Sequence, residues 1–111
     1  MMMREDQKPI VVLTTVPDEQ HAQRIAEALV ESRLAACVTV LPNVRSVYRW
    51  QGAIERSDEI QLLIKTQLDR YGPLQSRIRE LHPYDVPEIL AVQVVAGLPD
   101  YVDWVCAESA G

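Results

Sequence analysis

Residues 9–15, "PIVVLTT", are apolar and β-branched with no alternation, the pattern of a strand covered on both faces. From Pro17 the period changes. Ala22, Ile25, Ala26, Leu29 and Val30 recur at helical spacing, while His21, Gln23, Arg24, Glu27 and Glu31 fill the opposite side. Pro17 suits a first helical position and Asp18 and Glu19 suit the positive end of the dipole, so the spacing predicts a helix over 17–33. "AACVTVLPNVRSVYRW" and "AIERSDEIQLLIKT" follow as two strand-like arms joined by Gln51-Gly52, with glycine available for a positive φ. In the second arm Ile60, Leu62 and Ile64 alternate with Glu59, Gln61 and Lys65. Pro42 and Asn43 interrupt the first arm; proline cannot donate to a ladder, which implies an edge position or a bulge.

Asp69 is the expected cap of a second helix whose apolar positions are Tyr71, Leu74, Ile78 and Leu81, with Pro73 near its first turn. Pro83 pushes the residue before it out of the α region, so His82 should be the last or capping residue. "EILAVQVVA", residues 88–96, reads as a fourth strand. Gly97 breaks it, and Pro99-Asp100 opens a short helix with Tyr101, Trp104 and Val105 on one side. The order is that of an α+β, ferredoxin-like β-α-β-β-α-β sandwich with a long hairpin between its second and third strands and a C-terminal helix. Residues 1–8 are expected to be a flexible N-terminal arm and 9–111 a single domain.

Each hairpin arm has about 14 residues, and at about 3.3 Å per residue it should span about 46 Å. A domain of this length has a radius of gyration of about 13 Å, so part of the ribbon must project beyond its own core. A two-residue turn would set Tyr48 opposite Glu55 and Arg45 opposite Asp58, with Val44, Tyr48 and Trp50 on one face. Two-stranded ribbons are marginal alone in water. Docking on further copies of the chain is the expected remedy, and Tyr48 and Trp50 are then interface anchors first and a ligand platform second.

Composition narrows the function. Of 111 residues, 11 are Lys or Arg and 16 Asp or Glu, a formal charge of -5, which is the wrong sign for tracking phosphate backbones. No nucleic-acid or membrane partner is expected. The start has no signal-like apolar stretch and no run reaches membrane-span length, so a cytoplasmic location is expected. Cys37 and Cys106 are the only thiols, and a reducing compartment would leave both free. No Gly-rich phosphate loop, paired-cysteine knuckle or nucleophile with a traceable histidine appears, so no enzyme is expected.

"LAACVTVLPNVRSVYRWQG", "EIQLLIKT", "HPYDVPEIL" and "YVDWV" occur in this order and at these spacings, and together they resemble the CutA family, the divalent-cation tolerance proteins, over residues 10 to 106. The resemblance implies a tight homotrimer with an architecture similar to that of the PII signalling proteins. It also implies a cleft between subunits. The positions it carries over are Tyr48, Trp50, Glu59, Lys65, Tyr84 and Glu88 as ligand-binding residues and His82 and Cys37 as metal ligands. Some family members have Cys where this chain has Thr14 and a second His where it has Leu81; only His82 remains of that set. One histidine makes at best a weak copper or zinc site, since soft metals want three or four Cys, His or carboxylate ligands.

Each candidate has a plainer role. His82 can simply end its helix, Tyr84, Asp85 and Glu88 can brace a proline-stiffened turn, and Glu59 with Lys65 can be a solvated cross-sheet pair. The expected function is binding metal ions or a small ligand in inter-subunit clefts, with no required cofactor. Lys65 would suit a small anion, which opens the alternative of a PII-like sensor or adaptor. A structural trimer whose metal site has decayed is the third reading.

Overall fold

The computed structural model describes residues 3–111; the first two residues of the expected arm lie outside the described residues. The order is β1 (Pro9–Val16), α1 (Glu19–Glu31), β2 (Cys37–Trp50), β3 (Ala53–Gln67), α2 (Tyr71–Leu81), β4 (Leu90–Gln93) and α3 (Pro99–Glu108). The strands form one antiparallel sheet in the order β2-β3-β1-β4, which bears out the ferredoxin-like α+β plan. Among the described residues no helix is long and apolar enough to cross a membrane.

The core lies between one sheet face and helices α1 and α2. Val12 and Val16 of β1 and Leu62 and Ile64 of β3 meet Ile25 and Leu29 of α1 and Leu74 and Ile78 of α2, all fully buried. Because side chains alternate, Val11, Leu13, Leu63 and Lys65 point to the other face. There α3 covers one end: Gln67 donates through Nε2 to the carbonyl of Cys106 (3.1 Å), and Gln7 to Asp103 Oδ1 (2.6 Å). The rest of that face keeps apolar side chains in water, with Leu90 58% and Val92 51% exposed.

Element ends differ from expectation for local reasons. Helix α1 starts at Glu19, because Asp18 takes the N-cap and its Oδ1 accepts the N–H of His21 at 2.9 Å; Pro17 precedes the cap. Asp69 caps nothing. Residues Leu68–Arg70 form a 3-10 turn and α2 follows with no side-chain cap. His82 ends α2 in extended backbone (φ -81, ψ 135), as the following proline requires. β4 is shorter than 88–96: Val94 still donates to Pro9, but Pro9 has no N–H to return, so the ladder ends. In α3 Val102 and Val105 are the buried pair, whereas Tyr101 and Trp104 are exposed with ring centroids 5.7 Å apart.

The hairpin dominates the shape. The molecule measures 46 × 26 × 23 Å with a radius of gyration of 14.7 Å. Gln51 and Gly52 close the ribbon with φ of 50 and 81, the paired left-handed conformation of a type I′ turn. The register sets Tyr48 opposite Glu55 and Arg45 opposite Asp58, as expected. Between Leu41 and Val44 the pairing slips by one residue: Pro42 and Asn43 together oppose Ile60, and Asn43 takes φ 62. Pro42 is thus both in a bulge and on the edge strand.

Candidate functional site

That bulge creates the site. Val38 and Val40 pair with Ile64 and Leu62 and face the core, and eight residues of regular strand would return Tyr48 to the face of Val40. The extra residue reverses the parity. Beyond it Val44, Ser46, Tyr48 and Trp50 share a face with Ser57 and Glu59, while Arg45, Arg49 and Arg56 point the opposite way. The chain after α2 adds Pro83, Tyr84, Asp85, Val86 and Glu88 to the lining. A cleft of about 540 Å³ results, with Thr15 of β1 also in its lining.

Three side chains fix the wall nearest the core. His82 is 8% exposed; its Nε2–H donates to the carbonyl of Thr15 (2.7 Å) and its Nδ1 accepts the backbone N–H of Tyr84 (3.2 Å). Those two bonds define a neutral imidazole with its proton on Nε2. Burial lowers its pKa, outweighing the Thr15 carbonyl and the Glu59 charge, which favour the proton. The rings of His82 and Tyr84 sit 4.9 Å apart. Tyr84 then donates through Oη to Glu59 Oε2 at 2.8 Å, and burial followed by this bond raises the hydroxyl's pKa well above the tyrosine range. Glu59 is only 6% exposed. On the far wall Tyr48 Oη and Ser57 Oγ share a 2.8 Å hydrogen bond.

The site residues divide into two groups. Tyr48, Trp50, Glu59, Tyr84 and Glu88 all line the cleft. Lys65 and Cys37 do not: they are paired across β2 and β3, with Lys65 Nζ donating to Thr39 Oγ1 and lying 3.8 Å from Cys37 Sγ. Lys65 shares a sheet face with Glu59 but sits six positions along the strand, about 20 Å away. His82 stands behind the cleft wall with both ring nitrogens committed to backbone. His82 and Cys37 therefore do not make a metal site within the subunit, and no three His, Cys, Asp or Glu side chains converge on one among the described residues. Ser46 and Ser57 are cleft residues that sequence reasoning missed, although the register signalled them: they face each other and lie two positions from Tyr48 and Glu59.

The fold and cleft define a class: ferredoxin-like proteins with a projecting hairpin and a ligand-sized pocket at its base. The family model described as CutA1 divalent ion tolerance protein matches residues 10–108, and the chain belongs to that family. It is 50% identical to the divalent-cation tolerance protein CutA of Thermus thermophilus over 95 residues, 86% of this chain and 92% of that one. The CutA of Pectobacterium atrosepticum is 46% identical over 98 residues, 88% of this chain and 89% of that protein. Among solved structures, CutA from Xylella fastidiosa superposes with a TM-score of 0.90 at 48% identity, covering 92% of this chain and 98% of that one.

Proposed function

We propose that the chain acts in divalent-cation tolerance as a non-enzymatic homotrimer whose clefts, completed between subunits, bind a positively charged ligand, either a metal ion or a small molecule. Family membership supports the tolerance role. The observation that carries the binding reading is Glu59, a nearly buried carboxylate at the cleft wall with Asp85 and Glu88 beside the same opening. Binding rather than catalysis is favoured because His82 cannot move a proton without surrendering a backbone bond and Tyr84 is held protonated. The apolar sheet face left in water by Leu90 and Val92 supports association. The anion-sensor alternative depends on Lys65, which within one subunit lies away from the cleft, so this chain's own geometry gives it the weaker support.

Calorimetric titration with Cu(II), Zn(II) and sulfate tests this. The expected result is saturable binding of a divalent cation, weakened about tenfold or more by Glu59→Gln, with none for sulfate. Sulfate binding abolished by Lys65→Ala would restore the sensor reading, and no binding of any ion would leave the structural trimer.

A further inference from the structure

Arg33 stands where glycine is usual. Helix α1 ends in a Schellman motif: Arg33 N–H returns to the carbonyl of Val30 (3.1 Å) and Leu34 N–H to that of Leu29 (3.0 Å), with Leu29 and Leu34 both buried in the core. Arg33 therefore takes φ 62, a left-handed conformation that glycine adopts freely and residues with a Cβ resist. The turn itself asks only for glycine's freedom.

The arginine side chain acts at the other end of the sequence. Its Nη2 donates to the carbonyl of Ala107 (2.7 Å) and its Nε to that of Ala110 (3.0 Å), so one guanidinium spans the end of α3. Neither α1 nor α3 has a basic residue in its last turn. The negative ends of both helix dipoles thus meet at Arg33. Neighbouring carbonyls of α3 have their own donors: Ser109 Oγ bonds Val105 (2.6 Å) and Gln67 Nε2 bonds Cys106 (3.1 Å). Arg33 also lies 3.5 Å from Glu108, but both side chains are about half exposed, and such a pair contributes little. The carbonyl bonds are the contact that matters.

The two sides of this contact are unequally anchored. Thr66 Oγ1 donates to the carbonyl of Leu34 (2.7 Å) and Ala36 N–H to that of Lys65 (2.9 Å), which ties the turn after α1 to β3. Helix α3 has ten residues, no side-chain cap at its start, and Val102 and Val105 as its buried residues. A helix of that length is marginal by itself in water.

We propose that α3 is a latch on the open face of the sheet and that Arg33 is the clamp that holds it shut. Opening is then a local event that leaves the core folded. The sheet end beneath α3 lies on the same face as Leu90 and Val92, so the latch sets how much of that face is uncovered.

Hydrogen–deuterium exchange read by mass spectrometry on the full chain tests this. Wild type, Arg33→Gly, Arg33→Lys and Glu108→Gln are compared in the same assembly state, checked by light scattering. Relief of the left-handed backbone alone would leave Arg33→Gly exchanging as wild type or more slowly. The clamp predicts the reverse: amides 102–109 should exchange about tenfold faster or more, while those of β1 and β3 stay as they are. Arg33→Lys, which lacks the rigid fork, should fall between, and Glu108→Gln should match wild type. If Arg33→Gly does not fold, Arg33→Lys and Arg33→Gln carry the comparison. Unchanged or slower exchange in α3 overturns the proposal. So does acceleration spread evenly over the core, or loosening by Glu108→Gln equal to that by Arg33→Gly.

Discussion

Glu59, Tyr84 and His82 form a short relay from the cleft to the sheet, and each link is a hydrogen bond whose loss strands a buried polar group. Tyr84→Phe removes the donor to Glu59 Oε2 while keeping the ring. Equilibrium urea unfolding should show a loss of about 1–2 kcal/mol, the usual cost of leaving a buried acceptor unpaired. An unchanged midpoint would mean that water replaces the hydroxyl without cost. His82 carries a pH signature. Its folded pKa lies below the ordinary histidine value of 6.5, so above that value neither folded nor unfolded chain is protonated there and the contribution is complete. As pH falls below 6.5 the unfolded chain takes the proton first, and stability drops by up to about 1.4 kcal/mol per pH unit until the folded form also protonates. Comparing unfolding at pH 7.5 and 5.0 for wild type and His82→Gln checks this; the variant should show the smaller decline.

The hairpin bulge is the element on which the cleft depends, because it lets Val38 and Val40 face the core while Tyr48 and Trp50 face the cleft. Asn43 holds it at φ 62, a conformation asparagine tolerates and β-branched residues resist. Asn43→Val should cost about 1–2 kcal/mol in thermal unfolding. Deleting Asn43 should be better tolerated than its mid-strand position suggests, since regular alternation then links the same pairs on either side; Trp50 emission should stay unchanged. Much of this element was legible beforehand: the two-residue turn fixed the register, and the proline marked the bulge. Alternation gives the face of a side chain but not its company along the strand, which is why Lys65 seemed to belong with Glu59 and does not. Ser46 and Ser57 escaped notice because serine carries no chemical signature until its neighbours are known. The short β4 depends on a partner elsewhere in the chain, the missing donor of Pro9, and α2 goes uncapped because a 3-10 turn at 68–70 runs directly into it, where Asp69 alone suggests a cap.

At the scale of the molecule, a 46 Å ribbon-tipped body with Leu90, Val92, Tyr101 and Trp104 exposed is poorly suited to isolation in water. In the proposed homotrimer, sister subunits cover these surfaces and complete the clefts, so that folding and ligand binding share one interface. Light scattering at micromolar concentration tests that claim directly. A mass about three times the 12.6 kDa of the chain is predicted. A folded particle of 12.6 kDa, stable as a single subunit, would contradict it.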